Sequence, residues 1–105
     1  MASETLPDTA SLLASRVRLP QHVVYRTFPS ETVVLNLHTG RYHGLNPTAG
    51  RMLAALEGAP CVRDAATAIA AEYGQPRETV EQDICELCSL LLARELVELQ
   101  EPTSA

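Results

Sequence analysis

The stretch Leu35-Asn36-Leu37-His38-Thr39-Gly40-Arg41-Tyr42-His43-Gly44-Leu45-Asn46-Pro47-Thr48-Ala49-Gly50 changes its structural period in the middle. Its first residues end the run Thr32 to Leu37, whose β-branched and aliphatic side chains read as a strand. His38-Thr39-Gly40 reads as a tight hairpin turn, with Gly40 supplying the positive φ that closes such loops. Arg41 to Leu45 is then the returning strand, and Gly44 inside it marks a weak point or a close backbone approach. At Asn46 a helix starts: Asn is a good N-cap, and Pro47 occupies the first helical position, where its missing N–H costs nothing. A hairpin that passes straight into a helix places strands and helices in one unit.

Working outward, Val23 to Phe28 reads as a strand ahead of the turn Pro29-Ser30-Glu31, and Val17 to Leu19 as a shorter extended piece cut off by Pro20. Downstream, Met52, Leu53 and Leu56 share one helix face, and Gly58 ends that helix. A second helix from Val62 buries Ala65, Ala66, Ile69 and Tyr73 and stops at Gly74. The third and longest runs from Arg77 to Glu95, with Val80, Ile84, Leu87 and Leu91 in a narrow core-facing stripe. Leu96 to Leu99 reads as a last short strand. Gly40, Gly44, Gly50 and Gly58 read as punctuation at turns and helix ends. The expected fold is α+β and winged helix-turn-helix-like: a three-stranded antiparallel sheet followed by three helices. Residues 1–15 read as a flexible N-terminal tail with at most a helical turn, anchored by Leu6, Leu12 and Leu13. The domain then spans 16–99, and 100–105 is a C-terminal tail.

At 105 residues the chain has material for one core. An apolar fraction of 46% and a charged fraction of 20% are those of an ordinary globule. No apolar run approaches a membrane span, and the N-terminus lacks the layout of a signal peptide, so a cytoplasmic location and no membrane partner are expected. Thirteen acids face eight bases, every base is Arg, and the net charge is −5. An acidic chain starts at a disadvantage as a nucleic-acid binder. A winged-helix DNA binder would need a basic last helix, yet Arg77 to Glu95 holds Glu78, Glu81, Asp83, Glu86 and Glu95 against two Arg. A nucleic-acid partner is therefore not expected.

No catalytic constellation is visible. His22, His38 and His43 lie in strand or turn contexts without metal-binding spacing. Cys85-Glu86-Leu87-Cys88 is a Cys-x-x-Cys, but both thiols fall mid-helix, away from the N-terminal amides that activate a redox cysteine. A zinc site would need ligands from Cys61 or the histidines. Buried, inert thiols are the simpler reading, with no metal and no cofactor. The chain reads as a binding module and not as an enzyme.

The stretch from Leu35 to Gly50 resembles the PqqD-like proteins, also called RiPP recognition elements. Their pattern there is a strand, a Thr-Gly or similar turn, an aromatic residue, and Leu-Asn-x-x-Ala/Gly opening a helix. Leu56-Glu57-Gly58 is similar to that family's helix end, and Ala65 to Tyr73 to its Ala-rich second helix. Asp83-Ile84-x-x-Leu87-Cys88-x-x-Leu91 resembles its Asp-Val-x-x-Phe-Leu-x-x-Leu. The likeness covers about residues 24–99. Two departures stand out: Glu95 replaces the usual Gly, and Cys88 replaces Leu.

The resemblance implies non-catalytic capture of the leader segment of a ribosomally made precursor peptide, which is presented to a maturation enzyme. Stand-alone leader-binding proteins of lasso-peptide clusters, which work with a separate leader-cleaving cysteine protease, are similar in size. So is PqqD, which serves a radical SAM enzyme in pyrroloquinoline quinone synthesis. A physical route is strand addition at a free sheet edge, where backbone bonds give affinity and side-chain pockets give selectivity. The expected edge is Arg41, Tyr42, His43 and Gly44, with Leu45 in the core. The family pattern adds Asp83, Ile84, Leu87 and Cys88 of the last helix as the other wall. On a helical wheel Asp83 and Leu90 flank the core stripe on one side and Cys85, Cys88 and Leu92 on the other.

Overall fold

The computed structural model describes residues 8–102. In chain order its elements are α1 (Thr9–Ala14), β1 (Arg16–Arg18), β2 (Val23–Thr27), β3 (Thr32–Asn36), β4 (Tyr42–Leu45), α2 (Pro47–Gly58), α3 (Val62–Tyr73), α4 (Arg77–Ala93) and β5 (Glu98–Gln100). The stretch read as a loose tail contains a packed helix. Asp8 caps α1 by accepting from the Ser11 N–H at 2.8 Å, a bond that holds the Asp8 carboxyl below its usual range. Leu12 and Leu13 are buried in the common core, and α1 lies against α3 and α4. So short a helix is not stable alone; the two leucines hold it by their burial. Leu6, the third expected anchor, lies outside the described residues.

Strands β2, β3 and β4 form an antiparallel meander in that spatial order. The register puts Tyr25 opposite Val34, and Val34 opposite His43. Side chains alternate across a strand, so Val23, Thr32, Val34 and Leu45 point inward, where all four are buried. Val24, Val33, Leu35, Tyr42 and Gly44 share the outer face. Residues 16–18 do not extend this sheet. They pair with Glu98–Gln100 in a second, two-stranded sheet, Val17 opposite Leu99. The last strand is therefore shifted from the expected 96–99, and Gln100 is paired backbone, not tail. Leu96 and Val97 are core residues.

The helices follow the sequence signals closely. The Asn46 side chain accepts from the Ala49 N–H at 2.8 Å, with Pro47 in the first turn. Gly74 closes α3 in the left-handed region at φ 64°. Leu53, Leu56, Val62, Ala66, Ile69, Ile84, Cys88 and Leu91 are sealed from solvent at the centre. Tyr25 ties the sheet to the end of α2: its hydroxyl donates to Glu57 Oε1 at 2.6 Å. Burial, then that bond, raises the phenol to about 12.

Gly50 differs from its reading as punctuation. It lies inside α2 and is buried against β3, where a β-carbon would overlap Thr32 Oγ1 and come within 2.7 Å of Thr32 Cβ. The glycine sets how closely helix and sheet approach.

Helix α4 ends in a Schellman motif: the Leu96 N–H bonds to the Leu91 carbonyl at 2.9 Å and the Glu95 N–H to Leu92 at 3.0 Å. The motif's left-handed residue is Glu95, at φ 59°. This is the position where the family pattern has Gly, and a side chain there is strained. Glu95→Gly should raise stability by about 0.5–1 kcal/mol in chemical denaturation. A variant no more stable than the parent would refute strain at this residue.

Candidate functional site

Strand β4 is an edge: among the described residues no strand pairs with its outer margin. Which of its groups are free follows from the turn. Asn36 donates to the Arg41 carbonyl at 2.9 Å and accepts from Gly40 at 2.8 Å. Its side chain accepts from the N–H groups of His38 and Thr39 at 2.8 and 3.3 Å. Thr39 Oγ1 accepts from the Arg41 N–H at 3.1 Å. Antiparallel ladders alternate, so from the Asn36–Arg41 bond outward, His43 and Leu45 bond to β3. The N–H and C=O groups of Tyr42 and Gly44 then face solvent. On the outer face of the sheet a β-carbon on Gly44 would lie 2.8 Å from Glu31 Oε1, so the Glu31 side chain lies over the glycine.

The inward face of β4 meets α4 through one polar contact. Arg94 Nη1 lies 2.8 Å from His43 Nδ1. A guanidinium only donates, so His43 Nδ1 accepts and the ring's proton sits on Nε2. The Arg94 N–H bonds to the Leu90 carbonyl, so helical bonding continues to Arg94. Counting back from Arg94 at steps of four, three and four gives Leu90, Leu87 and Asp83 on one face. The rim of α4 turned toward β4 is thus the Asp83–Leu90 rim.

The expected wall residues divide accordingly. Asp83 is exposed and borders a hollow with Thr48, Met52, Tyr73, Thr79 and Val80, which no β4 residue lines. Leu87 is 8% exposed. Ile84 and Cys88, expected in the groove, are instead enclosed at 0% and present nothing to a ligand. Arg41 and His43 share a hollow of about 530 Å³ with Asn36, Thr39, Arg94 and Glu95. Tyr42 is 72% exposed and stands on the outer face. Leu90, 40% exposed, and Arg94 were not among the expected site residues. Leu90 lies beside Asp83 on the helical wheel, and the Arg94–His43 contact shows that this rim meets the sheet.

The Cys-x-x-Cys pair is buried. Desolvation, then the neighbouring Glu81, raises the Cys85 thiol; desolvation, then Cys85, pushes Cys88 up to about 12. Both are poor thiolates at neutral pH. Among the described residues no group of three or more His, Cys, Asp or Glu is placed to hold a metal. A disulfide-exchange reagent should label Cys61, which is partly exposed, and reach the other two only on unfolding. Labelling of all three at one rate under native conditions would contradict the packing.

A three-stranded antiparallel sheet with an open margin, followed in the chain by three helices, defines a winged-helix-like domain. The family pattern described as Coenzyme PQQ synthesis protein D (PqqD) matches residues 31–97, and the chain belongs to that family. Two solved structures are similar. TbiB1 in complex with the TbiA(beta) leader peptide is 35% identical, with a TM-score of 0.68, over 77% of this chain and 94% of that one. A lasso peptide synthetase B1 complexed with the leader peptide is 26% identical, also with a TM-score of 0.68, over 79% of this chain and 98% of that one. No curated protein sequence matches the chain.

Proposed function

We propose that this protein binds the leader segment of a ribosomally synthesised precursor peptide by strand addition to β4, without itself catalysing a step, and delivers it to a separate maturation enzyme. The leader-cleaving protease of a lasso-peptide pathway is the favoured enzyme, because the similar solved structures are leader complexes from that class. The observation that carries the binding step is the pairing of two features. Tyr42 and Gly44 turn their backbone groups outward, and Leu87, Leu90 and Asp83 line the facing helix. The other free edge, β2, has Tyr25 already bonded to Glu57. A leader strand on β4 would satisfy the free backbone groups and cover the exposed Leu90. Of the expected residues, Arg41, Tyr42, His43, Gly44, Asp83 and Leu87 belong to this groove, joined by Leu90 and Arg94.

The test is amide exchange on isotope-labelled protein titrated with the leader of its own precursor. In the free protein His43 and Leu45 should already be protected. Leader addition should slow exchange at Tyr42 and Gly44. Protection appearing at Tyr25 and Thr27 of β2 instead would move the site to the other edge. Delivery has its own readout: the protease should cleave full-length precursor faster with this chain present, and leaderless precursor no faster. If a radical SAM enzyme and not the protease responds, the partner assignment is overturned and the binding step stands.

A further inference from the structure

We infer that the Arg41–Arg94 end of the groove is an anion subsite that takes a carboxylate side chain of the bound leader. This rests on the leader-binding reading above and adds a chemical requirement to it. The chain is acidic, at −5, and several of its arginines are consumed internally. Arg18 pairs with Glu98, Arg51 with Glu72 and Arg77 with Glu81. Among the described residues, neither Arg41 nor Arg94 is in a salt bridge, yet the two line the same hollow, one from the hairpin and one from the end of α4.

A cation at position 94 also answers the partial negative charge of the α4 C-terminus. That explains one arginine and not its opposite number on the hairpin. Arg94 gives one N–H to His43 Nδ1 and keeps the rest of its donors. The backbone of Arg41 is held at the turn by Thr39 Oγ1. The Arg94 guanidinium, held by His43, and the exposed Arg41 side chain, beside outward-facing strand amides, suit a carboxylate carried on an added strand. Glu95 borders the same hollow and opposes an anion, so it sets an upper limit on the attraction.

Position along the leader follows from helix geometry. Asp83 and Arg94 are eleven residues apart on one helix face, about 16 Å at the helical rise. An extended peptide covers that in about five residues. The acidic leader residue therefore lies about five positions from the residue beside Asp83, where a basic or neutral donor fits.

A displayed library of random short peptides, selected separately on the native chain and on Arg41→Gln/Arg94→Gln, tests this. Peptides selected by the native chain should share Asp or Glu at one register position, and those selected by the double variant should not. Changing that acid to its amide should weaken binding to the native chain about tenfold to a hundredfold, and leave the double variant unaffected. Glu95→Gln should bind the acidic peptide more tightly. These positions are on the surface, so circular dichroism should show all variants folded. Peptides that bind at Tyr42 and Gly44 without an acid preference, or with one that survives in the double variant, would overturn the subsite and leave the leader-binding reading standing. If no peptide is selected and the Tyr42 and Gly44 amides are unmoved by leader, both readings fall.

Discussion

Leu90→Asp should cost this protein its leader affinity and almost none of its stability. Leu90 is 40% exposed on the rim of α4 that turns toward β4, so the free protein has little packing to lose there. Surface substitutions of that kind stay within about 0.5 kcal/mol. In the complex the side chain would be covered by the added strand. Replacing an apolar contact with a carboxylate removes about 1.5–3 kcal/mol of burial, a weakening of tenfold to a hundredfold or more. Leu87→Glu is a poorer test, because Leu87 is 8% exposed and an unpaired charge there would threaten the fold itself. Leu37→Asp is the control: Leu37 is exposed in the hairpin turn beside His22 and His38, away from the groove. Titration calorimetry should show the loss for Leu90→Asp alone. Undiminished heat from folded Leu90→Asp would remove α4 from the binding surface.

The second large effect concerns stability. Gly50→Ala should lower the melting temperature even though alanine is the better helix former by about 1 kcal/mol. The new β-carbon would overlap the Thr32 side chain, and Thr32 is 1% exposed with its hydroxyl bonded to Thr27 Oγ1 at 3.3 Å. Thr32 cannot swing into solvent, so α2 must move off the sheet. Overpacking of this kind costs about 1–3 kcal/mol, and each kcal/mol lowers the midpoint of a domain this size by about 4–8 °C. Thr32→Ala in the same chain should recover part of the loss, a coupling that a double-mutant cycle measures. A Gly50→Ala protein as stable as the parent would mean that helix propensity governs this position and the close approach does not.

Local chemistry announced most of the elements. Asn46-Pro47 opens α2, Gly74 closes α3, Gly40 takes the positive φ of the hairpin, and alternating valines mark the sheet, because each signal acts through residues a few positions away. Glu95 was visible as a departure from the family pattern. Its meaning, a left-handed residue in a Schellman turn, required the backbone. The missed elements depend on distant partners. Helix α1 exists because Leu12 and Leu13 reach α3 and α4, and β1 pairs with β5 from the opposite end of the chain. Ile84 and Cys88 looked like wall residues because their places in the family motif carry no information about which side of a stripe is covered.

The amino-acid order alone determined the meander, the three following helices and the acidic surface of α4, since all of these depend on residue type and short-range spacing. Only the tertiary structure decided which rim of α4 meets β4, because a helix stripe can rotate without changing its pattern. The contact between Arg94 and His43, fifty-one residues apart, is what reveals that rotation.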